Sequence, residues 1–307
     1  MTGADGGPGG IPMTISRRTK RTAALLAFVL PALLFYATLT IAPAFGGVWF
    51  SLTDWNGLNP EYDWVGLSNY VEALRDDPYF VDSILFTLKY VLYMVVLQNV
   101  IALALALLVE SRRRGKTWFR TVFFLPNMLS MIIGAFMWVF IFTQVLPSIA
   151  EGTGLAFLDQ SWIGDPKVSF YAILAVSLWG GVGYIMVIYI AALQSVPAQL
   201  KEAAAIDGAG SWQITRHVTL PMMYPALTIG VFLTLSSSFK AFDAVYALTG
   251  GGPGRATQVI SINIMEEAFR FQQRYGYASA KAIILFLIVM LITMVQLWMM
   301  KRREVEA

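Results

Sequence analysis

Few side chains in this sequence are suited to making or breaking covalent bonds. The chain contains no cysteine, which excludes disulfides, thiolate nucleophiles and cysteine-based metal sites. His217 is the only histidine, and one histidine leaves almost nothing from which to build a zinc site or a Ser-His-Asp triad. We therefore expect a protein that is not an enzyme and that itself binds neither a metal nor a cofactor.

The tripeptide Gly115-Lys116-Thr117 matches the end of a phosphate-binding loop. The full motif also requires a glycine five residues before Gly115, where this chain has Glu110, and it follows a strand rather than an apolar helix. We therefore predict no nucleotide site on this chain. The basic residues around Lys116 are explained more simply as signals of membrane topology.

Polar and aromatic side chains within apolar segments are the remaining candidates for a functional site. Amides and hydroxyls can hydrogen-bond sugar hydroxyls, and aromatic rings can stack on a pyranose face, although polar groups in membrane helices more commonly bind neighbouring helices. The candidates for a substrate path are Asn127, Trp179, Tyr184, Ser237, Lys240 and Asp243. Further uncharged candidates of the same kind are Gln98, Asn99, Gln144, Ser236 and Ser238.

Lys240 and Asp243 are the charged members of this set. They are three residues apart, which predicts that they lie on the same side of a helix near the outer end of the fifth span. Ionisable groups at membrane depth are functional candidates, but their cost falls near the end of a span. We therefore favour a salt bridge between them, with both ends reaching the outer interface.

Residues 194–223 have the pattern of two short helices joined by a turn. Pro197 suits a first helical turn, good helix formers follow it, and Gly208 suits a left-handed helix end. Ser211 is the expected cap of the second helix, and Pro221 its expected exit. Small side chains in the first helix would let another protein approach closely. A docking role and a plain connecting loop are both open at this point.

Membrane-spanning helices are the elements that must position these residues. The chain is 57% hydrophobic and only 13% charged, about half the charged fraction of a soluble domain. A helix needs about 20 apolar residues to cross the roughly 30 Å of hydrocarbon in a bilayer. Six runs reach this length: 22–49, 84–109, 117–142, 170–193, 224–248 and 278–300.

The predicted transmembrane domain covers residues 22–300. Residues 1–21 form a glycine-rich and then basic tail that we expect to be disordered, and residues 301–307 form a C-terminal tail. The first apolar run is longer than a signal-peptide core and lacks a small-residue cleavage site near residue 40, so we expect a retained first helix.

The charges of the connections predict that both termini face the cytoplasm. The second connection, 111–116, and the end of the chain, 301–303, are basic, whereas the first connection, 51–83, contains seven acidic residues and one arginine. The third connection is also biased towards acidic residues. Because lysine and arginine mark cytoplasmic loops, the segment 194–223 is expected to face the cytoplasm.

Three elements of this segment resemble the EAA loop of ABC importer permeases. They are Glu202-Ala203-Ala204, Asp207-Gly208-Ala209 and Leu220-Pro221, which ends nineteen residues after the glutamate. The resemblance implies that the loop forms a coupling helix that sits in a cleft of the cytoplasmic ATPase subunit. One departure is Thr215, where the family often has an aromatic residue, and it leaves the docking contacts of the second helix open.

Two further stretches resemble the carbohydrate branch of this family, of the maltose type. Residues 48–56 and 64–70 are similar to its first outer loop, and residues 239–243, leading into 248–254, are similar to the end of its fifth core span. The glycine-rich turn 250–254 then suits contact with an external binding protein. The resemblance covers most of the chain, from about residue 21 onwards.

The resemblance implies an all-α type I ABC importer permease fold with six transmembrane helices and a coupling helix-turn-helix between helices 4 and 5. The implied partners are a second homologous permease subunit, two ATPase subunits, an extracytoplasmic sugar-binding protein and membrane lipid, with no nucleic acid. ATP and Mg would be bound by the partner ATPase. The implied function is import of a di- or oligosaccharide across a bacterial cell membrane.

Three alternatives stay open beside sugar import. An ABC permease for glycerol-3-phosphate or a polyol has the same architecture, and an anionic substrate would favour positive charge in the pathway, for which Lys240 is the obvious candidate. An ion-coupled secondary transporter would normally have an inverted repeat or buried acidic coupling residues, and neither is evident. An intramembrane enzyme is disfavoured by the histidine and cysteine content.

Overall fold

The computed structural model describes residues 17–112, 114–270 and 273–301. Residues 1–16 and 302–307 of the two predicted tails lie outside the described residues. Residues 17–21, which were predicted to belong to the disordered N-terminal tail, lie in the first helix, and Lys301 ends the last one. The chain divides into two units, residues 1–49 and 50–307. In the first unit, helix α1 (Arg17–Tyr36) continues through a π-helical turn (Ala37–Ile41) into α2 (Ala42–Phe50). The 26 residues from Leu25 to Phe50 are long and apolar enough to cross a membrane.

The described part of the second unit consists of helices joined by loops, with one isolated β-bridge between Thr53 and Trp64. Its helices are α3 (Ser68–Arg75), α4 (Pro78–Ser111), α5 (Lys116–Phe124), α6 (Met131–Phe140), α7 (Leu146–Thr153), α8 (Pro166–Ser195), α9 (Ala198–Ile206), α10 (Ser211–Ile214), α11 (Leu220–Met222), α12 (Tyr224–Ser238), α13 (Phe242–Thr249), α14 (Ile260–Phe269) and α15 (Tyr275–Lys301).

Two long helices, α4 and α8, form the centre of this unit. Each starts with an aspartate cap followed by proline, a residue that suits the first helical position. Asp77 accepts a hydrogen bond from the backbone N–H of Phe80 at 2.9 Å, and Asp165 accepts one from Lys167 at 2.7 Å. The two helices pack together in both main hydrophobic clusters. Among the candidate membrane-spanning helices of the described chain, α8 is the most buried, since 61% of the residues in an apolar 18-residue stretch of it are buried.

The number of spans agrees with the sequence-based expectation of six. Five helical stretches in the described chain are long and apolar enough to cross a membrane, or six if a bent pair counts as one span. The bent pair joins residues Ser211–Met222 to α12 at an angle of 70°.

The boundaries predicted for the third span are wrong. Residues 117–142 were expected to form one helix, but α5 ends at Phe124 and a 3₁₀ turn follows at Leu125–Met128. Pro126 in this turn has no backbone N–H and cannot continue an α-helical ladder. The apolar stretch that is long enough to cross is Met131–Thr153.

The predicted fifth span, 224–248, is broken. Helix α12 ends at Ser238, residues 239–241 form a turn, and α13 starts at Phe242. The turn residues Phe239 and Ala241 are apolar and buried, so the single charged residue between them, Lys240, did not end the predicted span.

Candidate functional site

The segment between α8 and α12 contains a well-defined helix end. Helix α9 stops at Ile206, and Gly208 takes the left-handed conformation with φ +86°. The N–H of Gly208 donates to the carbonyl of Ala205 at 3.1 Å, and the N–H of Ala209 donates to that of Ala204 at 3.0 Å. These two bonds form a Schellman motif, which satisfies carbonyls that the helix end leaves without partners. The predicted left-handed end at Gly208 is confirmed.

The second short helix starts and ends differently from the prediction. Gly210, not Ser211, is the N-cap, and its N–H donates to the side-chain oxygen of Gln213 at 2.8 Å. Pro221 is not an exit, because helical structure runs on through a π turn to Met222 and the chain bends just after it. Proline is tolerated here because it falls near the start of α11, next to the turn.

Exposed side chains of three kinds, small, acidic and large apolar, cover the α9–α10 pair. Glu202, Ala203 and Asp207 are exposed, and neither acid forms an ion pair with another residue in the described part of the chain. The large apolar side chains of Ile206 and Trp212 are 86% and 69% exposed. Small, acidic and large apolar groups on one short surface are typical of a protein contact.

The last two residues of the predicted motif are less exposed than its first two elements. Leu220 and Pro221 are half-buried, next to Met223, which is 1% exposed. Met223 packs in the same hydrophobic cluster as Tyr189 and Leu193 of α8. Leu220 and Pro221 therefore help to anchor the segment between α8 and α12, whereas the Glu202 and Gly208 elements are accessible.

A cavity of about 540 Å³ lies between α4, α8 and α12. Its wall contains five of the six predicted path residues: Asn127, Tyr184, Ser237, Lys240 and Asp243. Among the further candidates Gln98, Ser236 and Ser238 line it as well. A cavity with an apolar wall and a few convergent polar groups is the usual form of a small-molecule site.

The structure does not bring Trp179 to the wall of this cavity. Trp179 lines a smaller adjoining cavity of about 130 Å³, which shares Asn127 with the larger one. Its ring packs edge-on against Trp138, with 5.7 Å between the ring centroids. Asn99 and Gln144 also lie outside the main cavity.

The expected ion pair between Lys240 and Asp243 is absent from the ion pairs of the described residues. Lys240 lies in the turn after α12, and Asp243 lies in the first turn of α13, so the two are not on one helix. Both line the cavity and are exposed. The break in the helix is the physical reason, because it removes the regular three-residue spacing on which the prediction depended.

Several cavity residues were not identified from the sequence. Tyr90 and Ser177 are 2% and 4% exposed and line the wall. Both lie within continuous apolar runs, and a hydroxyl in such a run gives no periodic signal that separates a cavity residue from a packing residue.

A second polar centre joins the beginnings of α4 and α15 to α14. Lys281 is fully buried, and its ammonium group donates to Asp77 at 2.8 Å, Asn263 at 2.9 Å and Glu267 at 3.2 Å. All three ammonium donors thus have a partner. Nearby, Arg274 donates to both carboxylate oxygens of Glu72 at 2.7 and 2.6 Å.

The charges of this polar centre stabilise one another. Partial burial alone would raise the pKa of Asp77, but hydrogen bonds from Lys281 and from the Phe80 backbone outweigh burial and lower it. The hydrogen bonds with Glu72 raise the pKa of Arg274. An ionisable residue within a predicted span is a signal that the sequence offered for Lys281 and that the prediction overlooked.

The described residues contain no cluster of three or more histidine and carboxylate side chains that could hold a metal ion. The site therefore consists of a polar cavity between membrane-spanning helices and a bent helical segment that leads away from it. These features define a membrane transport protein.

A family model described as a binding-protein-dependent transport system inner membrane component matches residues 98–305. The chain belongs to this family of ABC transporter permeases, whose members are multi-pass transport components rather than enzymes. The resemblance inferred from the sequence is thereby confirmed.

Named relatives match nearly the whole chain. The probable starch degradation products transport system permease protein AmyD of Thermoanaerobacterium thermosulfurigenes is 41% identical, with 91% of this chain and 94% of that protein covered. The multiple sugar-binding transport system permease protein MsmF of Streptococcus mutans is 35% identical, with 91% and 95% covered. The trehalose/maltose transport system permease protein MalF of Thermococcus litoralis is 31% identical, with 88% and 90% covered.

The fold also matches a solved structure. A chain of a bacterial ABC transporter involved in the import of the acidic polysaccharide alginate superimposes with a TM-score of 0.81, covering 93% of this chain and 98% of that chain. The sequences are 22% identical, so this match establishes the shared permease fold.

Proposed function

We propose that this chain is a permease subunit of an ATP-driven importer that carries an uncharged oligosaccharide, delivered by an extracytoplasmic binding protein. The observation that carries the proposal is the cavity between α4, α8 and α12, with its amide, hydroxyl and tyrosine groups. The relatives named for starch products, multiple sugars and trehalose or maltose support the same substrate class.

The charges in the cavity favour an uncharged substrate over a phosphate ester. Lys240 is the cation on the wall, and Asp243 lies on the same wall, so their formal charges cancel. A site for glycerol-3-phosphate would need an excess of positive charge or a bidentate arginine. Hydroxyl and amide groups such as those of Ser237 and Asn127 match sugar hydroxyls, which both donate and accept hydrogen bonds.

We assign the α9–α10 pair as the docking surface for the partner ATPase. Glu202, Ala203, Ala204, Asp207, Gly208 and Ala209 would form its accessible part, with Leu220 and Pro221 as its anchor. The exposure of Ile206 and Trp212, two large apolar side chains on this short segment, supports an interface here. The segment leads directly into α8 and α12, which both line the cavity, so a displacement of the ATPase would reach the cavity wall through two helices.

The assembly that follows contains this chain, a second homologous permease, two ATPase subunits and the binding protein. ATP and Mg would be bound by the ATPase pair. Closure of that pair on ATP would draw the docking segments together and turn the helical cores outward as rigid bodies, and hydrolysis would reset them. With the α9–α10 pair in the cytoplasm, both chain termini lie on the same side of the bacterial cell membrane.

A substitution in the cavity tests the proposed path. Asn127→Leu removes an amide from the wall at similar volume, and we expect the KM of uptake to rise about tenfold, which corresponds to about 1.4 kcal/mol or one to two hydrogen bonds. ATPase activity of the assembly should be retained. Gln144→Leu is the matched control, because Gln144 is exposed outside the cavity. Equal effects of the two substitutions would remove Asn127 from the path.

A charge reversal tests the docking surface. Glu202→Lys places a cation where the proposed interface has an acid, and we expect the ATPase to copurify at least tenfold less well because charge reversal in an interface costs several kcal/mol. Glu151→Lys is the control, since Glu151 is also exposed and lies in α7, in a different part of the chain. Unchanged recovery of the ATPase with Glu202→Lys would rule out the assigned contact.

A pulldown in mild detergent from native membranes tests the composition of the assembly. We expect a nucleotide-binding ATPase and a second permease with its own EAA-like segment to copurify. Reproducible recovery of the folded chain alone would instead support a self-contained secondary transporter.

A further inference from the structure

We propose that Tyr189, Asn99 and Thr234 form a hydrogen-bonded latch that transmits movement of the α9–α10 segment to the cavity. The proposal rests on the proposed function and adds positioning residues to it. These three residues belong to α8, α4 and α12 respectively.

The latch is a continuous chain of hydrogen bonds across three helices. The hydroxyl of Tyr189 donates to the side-chain oxygen of Asn99. The amide nitrogen of Asn99 donates to the hydroxyl oxygen of Thr234 at 3.2 Å and to the backbone carbonyl of Val95 at 2.8 Å. The hydroxyl of Thr234 donates to the carbonyl of Gly230 at 2.9 Å. Tyr189 and Thr234 are fully buried.

The latch lies between the cavity and the α9–α10 segment. On α8, Tyr189 is five residues after the cavity residue Tyr184 and six before the end of the helix at Ser195, which corresponds to roughly 7–9 Å along the axis on either side. On α4, Asn99 directly follows Gln98, which lines the cavity. On α12, Thr234 directly follows the lining residue Leu233.

Close approach of the Tyr189 side chain to the backbone of α12 makes the latch specific. A Cβ atom at Gly230 would collide with the hydroxyl and ring of Tyr189, so α12 can take this position only because residue 230 is glycine. The tyrosine ring therefore lies directly against the α12 backbone. Helices α8 and α12, which the α9–α10 segment connects, are held together here by shape and by hydrogen bonds at once.

The hydrogen bonds of the latch restrict the relative movement of the three helices in a way that apolar packing does not. The side chains around the latch belong to an apolar cluster that includes Ile185, Met186 and Ile190. Apolar contacts have no direction, so they select a relative rotation of two helices only through the shapes of the side chains. A hydrogen bond weakens steeply when its geometry changes. The latch therefore makes α4, α8 and α12 move as a unit when the segment is displaced.

Tyr189→Phe tests the latch with the smallest change of shape. We expect the number of sugar molecules carried per ATP hydrolysed to fall about threefold to tenfold, the factor that loss of one interhelical hydrogen bond supplies. ATP hydrolysis should continue at or above the normal rate. Tyr70→Phe is the control, because the Tyr70 hydroxyl bonds Ser51 at 2.7 Å in a different part of the unit.

A second pair of variants separates the hydrogen bond from packing. Thr234→Val keeps the branched shape without the hydroxyl and should lower the same ratio, whereas Thr234→Ser keeps the hydroxyl and should preserve it. A normal ratio in both Tyr189→Phe and Thr234→Val would overturn the latch. So would parallel loss of uptake and hydrolysis, because that pattern indicates a structural role. The proposed function fails separately, if the normal protein shows no ATP-dependent uptake.

Discussion

We expect Gly208→Val to abolish uptake while the chain still folds and inserts into the membrane. Gly208 has φ +86°, a conformation that costs an ordinary residue about 1–2 kcal/mol and a β-branched residue more. Apart from its neighbours in the chain, no atom of the described residues lies within 4 Å of the position that a Cβ of residue 208 would take, so the substitution disturbs no core packing. Its effect should fall on the end of α9 and on the surface proposed to meet the ATPase. Uptake, ATPase recovery and membrane content of the variant measure the three parts of this prediction.

Two substitutions in the same turn, one at Gly210 and one at Gly208 itself, serve as controls for Gly208→Val. Gly210→Ala changes a glycine with an ordinary φ of −70° in the same turn, and uptake should be retained. Gly208→Asn places a residue that tolerates the left-handed region at the same position. We expect uptake between that of the normal protein and that of Gly208→Val. Normal transport by Gly208→Val would contradict the assignment of this turn to coupling.

The second large effect is expected at Lys281. Lys281→Ala leaves the carboxylates of Asp77 and Glu267 without their buried cation, and breaking a buried pair in this way costs about 3–5 kcal/mol. We expect a value near the lower limit, because both acids retain 17% side-chain exposure and water can partly replace the cation. The measurement is the thermal unfolding midpoint of the detergent-solubilised protein, which should fall clearly below normal.

Lys167→Ala is the matched control for the buried lysine. Lys167 is exposed in the first turn of α8, so its removal should leave the midpoint within the error of the measurement. An unchanged midpoint for Lys281→Ala would mean that the network of Asp77, Asn263 and Glu267 does not stabilise the fold.

Much of the fold could be predicted because hydrophobic length is a strong signal. A run of about 20 apolar residues is rare in soluble proteins and indicates a membrane-spanning segment. Because the bilayer contains no water to bind backbone N–H and C=O groups, such a segment forms a helix, which satisfies these groups internally. The same signal is insensitive to breaks. The apolar run 117–142 covers α5, the 3₁₀ turn at Leu125–Met128 and α6, although only the part from Met131 onwards continues into a crossing helix.

The candidate site was predictable only in part, for a related reason. Polar residues in apolar runs are few, so Ser237 and Asn127 stand out in the sequence, and both line the cavity. Whether such a residue faces a cavity or a neighbouring helix depends on tertiary packing, which sequence spacing does not contain. Trp179 packs against Trp138 for this reason, and Asn99 bonds Tyr189 and Thr234 rather than lining the wall.

The buried lysine illustrates a different limit. The presence of Lys281 in an apolar run marks it as a candidate, but its partners come from positions 204, 18 and 14 residues away in the chain. No local pattern links Asp77 to Lys281. Only the packing of the start of α4 against the start of α15 brings them together.

The central claim is that ATP hydrolysis on a partner drives sugar through this chain, and reconstituted transport tests it most directly. The assembled importer would be placed in liposomes with ATP inside and the binding protein with a labelled maltooligosaccharide outside, and influx would be measured with and without an ionophore. Influx that requires both ATP and the binding protein, and that persists when the ionophore collapses ion gradients, is the predicted result. Influx without ATP that stops when the gradients collapse would contradict the account.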